Sequence, residues 1–216
     1  MKKLFSLLAA ATFVILSGCA SAPRINTETP SADAGYAVVS LGSSEKIYVS
    51  SHRLYIRDAK TKAVADVTYF QENIFYKSER DFDSAESNGA ALMVRLPPGD
   101  YELYNFSSFI NGYPSTTTFT TKSGFVVPFR VEQGKVSYLG EYLAHQVFGR
   151  SLIGLRVPAF FYMVVSDKAV RDISVLERKG KVPLGLPLLK FMADGKVVKH
   201  ELIRNAKFPF TDLPRN

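Results

Sequence analysis

Cys19 is the only cysteine among 216 residues, so its thiol is the first reactive group to assign. It follows a positive start (Lys2, Lys3) and an apolar run from Leu4 to Leu16, a position that suits an acceptor of lipid chains better than a redox centre. The histidines, His52, His145 and His200, are far apart, and none has a second His, Cys or carboxylate at metal-ligand spacing, so they read as surface or loop residues. Asp81, Asp83 and Glu86 place oxygen ligands at intervals a calcium loop would use, but the glycine comes at Gly89 and the closing Glu is missing, so a solvated acidic loop is expected. Ser151 lies near His145 in sequence only, and neither a Gly-x-Ser-x-Gly elbow nor a phosphate loop is present. Catalytic residues, metal ligands and cofactors are therefore all expected to be none. Phe109, Asn111 and Tyr113 form the candidate binding loop: aromatic and amide groups beside serines and a threonine run can stack on, and hydrogen-bond to, a sugar or peptide.

The apolar run covers about 20 Å as a helix, too short for a hydrocarbon core of about 30 Å, and so fits a secretory signal better than a membrane span. Leu16-Ser17-Gly18-Cys19 resembles the lipobox of bacterial lipoproteins. The resemblance implies cleavage between Gly18 and Cys19, a diacylglyceryl thioether on Cys19 and acylation, of the palmitate kind, of the new amine. It also implies attachment to an envelope membrane, and Ala20 in place of Asp implies outer-membrane sorting, on the periplasmic face, in a Gram-negative host. Two or three chains at about 0.8 kcal/mol per buried methylene would make release negligible.

Without Lys2 and Lys3 the chain carries a net charge of +5, and all of the excess falls in residues 167–216. A basic region on an envelope protein suits an anionic neighbour, and nucleic acid is not an expected partner in that compartment. The expected partners are the membrane, through the acyl chains on Cys19, and an envelope protein or an anionic or glycan polymer.

The elements that would position these groups are mostly strands. Residues 1–18 read as signal peptide and 19–35 as a flexible tether rich in Ser, Ala, Thr and Pro. Residues 36–166 hold many short apolar runs separated by Gly and Pro turns, the pattern of a β-sandwich. Pro97-Pro98-Gly99-Asp100 predicts a type II turn with Gly99 at positive φ. Glu132-Gln133-Gly134 predicts a hairpin connection, and Pro128 an edge strand. Residues 167–216 read as one amphipathic helix, with Ala169, Val170, Ile173 and Leu176 on its apolar face, and a short terminal hairpin around Asp194-Gly195, packed on or beside the sandwich.

Leu96-Pro97-Pro98-Gly99-Asp100-Tyr101-Glu102-Leu103, with Val131-Glu132-Gln133-Gly134-Lys135-Val136-Ser137-Tyr138-Leu139-Gly140 downstream, resembles small sandwich domains of bacterial lipoproteins. These look like transthyretin or carboxypeptidase-regulatory modules. The resemblance implies a mainly β, antiparallel Ig/transthyretin-like sandwich over residues 36–145. Together these features favour a non-enzymatic, lipid-anchored binding or scaffolding protein. The alternatives are an envelope hydrolase with dispersed catalytic residues, marked by His145 beside a carboxylate and a hydroxyl, or an accessory subunit of an envelope assembly.

Overall fold

The computed structural model describes residues 22–44, 49–71, 78–111, 116–192 and 203–205. The strands are β1 (Gly35–Ser44), β2 (Ser51–Asp58), β3 (Val64–Phe70), β4 (Phe82–Asp83), β5 (Ser87–Leu96), β6 (Gly99–Asn111), β7 (Thr116–Thr120), β8 (Val127–Val131), β9 (Val136–Arg150) and β10 (Arg156–Ser166). Helix α1 (Ala169–Arg178) and the short strands β11 (Leu188–Lys190) and β12 (Ile203–Asn205) follow. The chain is mainly β, in two sheets. One runs β12-β10-β9-β1-β5-β4 with β11 added to β9; the other runs β3-β2-β6-β7 with β8 added to β6.

The sequence of β1 explains its place. Tyr36 to Leu41 is apolar except for Ser40, without alternation, because the strand is buried on both faces. Ala37, Val39 and Leu41 meet Leu54, Ile56, Leu103, Phe106 and Phe161 between the sheets. Tyr36 and Val38 point the other way, to Ala169, Leu176 and Val182 at and beyond α1. β5 pairs with β1 in antiparallel register, whereas β9 pairs with it in parallel.

Gly140 lets β9 serve both layers. The register with β1 slips by one residue between Tyr138↔Val38 and Glu141↔Ser40, and Gly140 sits in the slip at φ +108°. Such a bulge inverts the strand's alternation. Tyr138 and Val136 face α1 before it, while Tyr142 and Ala144 face the core after it.

Several expectations are corrected. Gly99 is outside the left-handed region, and the Tyr101 hydroxyl closes the turn by donating to Pro97 O at 2.8 Å. β8 and β9 do not form a hairpin: β8 pairs with β6, and the chain crosses to the other sheet through Gly134 at φ +65°. Pro128 does sit on an edge strand, its missing N–H turned away from any neighbour. Two short strands after α1 add to the larger sheet in parallel, β11 to β9 and β12 to β10; the hairpin expected between them, around Asp194-Gly195, lies outside the described residues. On α1, Val170 faces solvent and Asp172 is buried instead.

The stretch expected as a tether is held against the sandwich from Pro23 onward. Val64 N donates to Pro23 O (2.7 Å) and Ile25 N to Val64 O (2.9 Å), while Ile25 packs on the core. Gln133 Nε2 and Gly134 N then bond Ala32 O and Ala34 O. Backbone pairing outweighs the polar composition here.

Gly140→Val should destabilise the fold by about 1–3 kcal/mol, since a side chain at positive φ is strained and its Cβ would stand 3.1 Å from Val165 Cγ1. Urea denaturation reads this, and an unchanged midpoint would mean that the bulge is dispensable.

Candidate functional site

Three polar or exposed features stand out against the apolar core. The first is His52 on β2. It is fully buried rather than on the surface, because β2 and β6 of one sheet and β1 of the other close around it. Its Nε2 lies 2.7 Å from Ser43 Oγ and its Nδ1 2.8 Å from Ser108 Oγ, so one imidazole joins the two sheets. Phe161 meets the ring edge-on with centroids 6.1 Å apart. Burial pushes the His52 pKa down to about 3. The ring is neutral, one nitrogen donating and the other accepting. Both nitrogens are occupied and the ring is out of solvent's reach, so its hydroxyl partners serve as structural links.

The second feature locks α1 onto the outer face of the β1/β9 sheet. Arg171 donates from Nη2 to Glu141 Oε2 (2.6 Å) and from Nε to Asp172 Oδ1 (2.8 Å). The Tyr138 hydroxyl donates to Asp172 Oδ2 (2.8 Å), and Ser166 Oγ donates to Glu141 Oε1 (2.8 Å). Glu141 and Asp172 are both buried. Burial raises the Asp172 pKa, against the opposing pull of its hydrogen bonds and of Arg171. Ser40 Oγ lies beside Asp172 and favours its charged form without making a well-formed bond. The Arg171 guanidinium also stacks 3.9 Å from the Phe82 ring.

That contact brings in the acidic loop. Asp81 and Glu79 receive Lys179 Nζ at 2.7 and 2.8 Å, and Asp83 receives Arg80 at 2.7 Å. Its Glu79, Asp81 and Asp83 carboxylates are taken up by Lys179, at the end of α1, and by Arg80 of the loop itself. No group of three or more His, Cys, Asp or Glu that could hold a metal occurs among the described residues.

The third feature was not singled out from the sequence. Ala144 is the last β9 residue paired with β1, and Phe161 is the last β10 ring still in the core. Residues 147–160 then leave the sandwich as a two-stranded arm, bulged between Pro158 and Phe160. At about 3.3 Å per residue the arm projects roughly 15 Å. Ser151 N to Leu155 O (2.8 Å) and Leu155 N to Ser151 Oγ (3.1 Å) close its tip, with Gly154 at φ +80°. Leu152, Ile153 and Leu155 stand exposed at 107, 80 and 60 %. A Gly-containing turn carrying three large aliphatics breaks the polar rule for turns, and that was the legible signal.

The residues singled out from sequence are scattered. Phe109 and Asn111 lie in β6, not in a loop, paired with Thr118 and Thr116 of β7. Phe109 is half-buried, and Asn111 N donates to Ser50 Oγ at 2.9 Å. Tyr113, Gly18 and Cys19 lie outside the described residues. His145 stacks on Tyr162 at 5.0 Å between centroids, at the root of the arm.

No family model matches the sequence, and no curated protein matches it. Among solved structures, a leucine-rich repeat protein from Bacteroides thetaiotaomicron VPI-5482 superposes with a TM-score of 0.33 at 10 % identity, covering 52 % of this chain and 14 % of that one. A superposition that loose carries no argument about fold or function. No helix among the described residues is long and apolar enough to cross a membrane.

His52 makes stability depend on pH. Its folded pKa of about 3 lies below the ordinary 6.5, so the unfolded chain binds the extra proton between those values. Stability from this residue is whole above pH 6.5 and falls as pH drops toward 3, by on the order of 2–4 kcal/mol at pH 4. Thermal melts at pH 6.5, 5.5 and 4.5 should show a decline in the wild type that His52→Gln flattens. Parallel declines would show that the imidazole is not held neutral in the fold.

Proposed function

We propose that the protein is a lipid-anchored envelope scaffold of the binding type, without catalytic activity, held by acyl chains on Cys19 and making its contact through the β9–β10 arm. The finer fold assignment, an Ig/transthyretin-like sandwich, belongs to this reading. The order β5-β1-β9-β10 against β3-β2-β6-β7, with β1 and β9 parallel, supports it.

The observation that carries the reading is the placement of the two ends. Pro23 is fixed beside Val64, at the end of the sandwich formed by the β2–β3, β5–β6 and β8–β9 turns. Four peptide steps separate it from Cys19, a reach of about 14 Å at most. The turn end is thereby kept close to any bilayer that holds the acyl chains. The arm leaves the opposite end, at roughly 27 Å of strand plus its own 15 Å. An apolar, protruding element of this kind marks an interaction site rather than a solvated loop. The alternative of a hydrolase was marked by His145, and that ring stacks on Tyr162 at the root of the arm.

A photo-crosslinking residue at Ile153, compared with one at Lys60 in the β2–β3 turn, tests the contact in intact cells. Discrete adducts from position 153 and none from position 60 are expected. Equal labelling, or none from the arm, would contradict the assignment of the arm as the contact element.

A further inference from the structure

The chemistry of the arm goes beyond a generic contact. Three aliphatic side chains, Leu152, Ile153 and Leu155, form its tip, and Phe148 adds a ring exposed at 41 %. Arg150 and Arg156 flank the tip on the two strands, directly opposite each other in register. The Arg156 guanidinium lies over the Phe148 ring at 3.9 Å, which holds its charge beside the apolar group. Between Glu141 and Asp167 these two arginines are the only Asp, Glu, Lys or Arg residues.

Hot spots of protein–protein interfaces are dominated by Trp and Tyr seated in pockets, with Leu under-represented. This tip is the reverse. It is aliphatic at its extremity, cationic just behind, and without a carboxylate. That is the order in which a bilayer presents itself: acyl chains deep, anionic phosphates above them. Arginine stems can lie along the apolar layer with their guanidinium groups at the phosphates.

We infer that the β9–β10 arm inserts its Leu152–Leu155 tip into an anionic lipid bilayer, with Arg150 and Arg156 on the headgroup phosphates. This rests on the reading of the arm as the contact element. It gives the sandwich a second, non-covalent membrane contact roughly 40 Å from the anchored end.

The chain lacks tryptophan, so a Leu152→Trp reporter at the exposed tip is read without background. The protein, purified as it occurs in cells, is added to vesicles of phosphatidylcholine alone or with phosphatidylglycerol, with and without brominated acyl chains. Emission in the anionic vesicles should shift to the blue and be quenched by the brominated chains. A Lys122→Trp reporter, exposed between β7 and β8, should stay aqueous. Arg150→Gln with Arg156→Gln should weaken the inserted fraction on the order of fivefold per arginine, with an unchanged melting temperature. An aqueous tip in anionic vesicles would overturn the inference. If Ile153 then crosslinks to a protein in cells, the arm remains the contact element and only the bilayer is wrong. If neither lipid nor protein is met, the reading of the arm fails as well.

Discussion

The structure depends on one strand pair. β1 and β9 run parallel through the middle of the larger sheet, and both are covered on two sides. Parallel neighbours need a connection that crosses over, and here the whole second sheet supplies it. Because β1 is buried on both faces, everything else is arranged to cover it: the five-stranded sheet on one side, α1 and the segment after it on the other. Gly140 makes this compatible with a single β9, since the bulge turns Glu141 toward Arg171 and Tyr142 into the core.

Two buried polar bridges then fix the layers that apolar packing alone would leave free to slide. His52 ties sheet to sheet through Ser43 and Ser108. Arg171, Glu141, Asp172 and Tyr138 tie helix to sheet. Buried groups of this kind specify geometry, because any other register leaves a donor or a charge without a partner. The far end of the sheet pays no such constraint. Past Phe161 the β9–β10 ribbon has no cover among the described residues, and its apolar side chains face outward.

Local signals were legible in the sequence where local chemistry decides. The apolar run at Tyr36–Leu41, interrupted only by Ser40, the Pro128 edge and the helical period of α1 follow from burial and hydrogen bonding within a few residues, although Val170 turned outward. What was not legible is set by distant partners. Asp172 took a buried position because Tyr138 and Arg171, from two elements, satisfy it. The parallel additions of β11 to β9 and β12 to β10 depend on strands formed far earlier in the chain. Phe109 and Asn111 were drawn into β6 by the threonines of β7. The arm's tip was legible only in part: Leu152, Ile153 and Leu155 around a glycine are out of place in a turn, but nothing local says that two strands leave the sandwich there. The tether composition of residues 22–34 concealed backbone pairing with β3, which no side-chain pattern encodes.

The account turns on where the chain is held. With the proposed anchorage at Cys19, four steps before the residue fixed at the turn end, the arm stands at the end of the molecule away from the anchor. Mass spectrometry of the N-terminal peptide of the protein purified from cells tests this most directly. The account predicts a peptide that begins at Cys19 and carries a diacylglyceryl group on its sulfur. A peptide that begins elsewhere, or an unmodified Cys19, would contradict it.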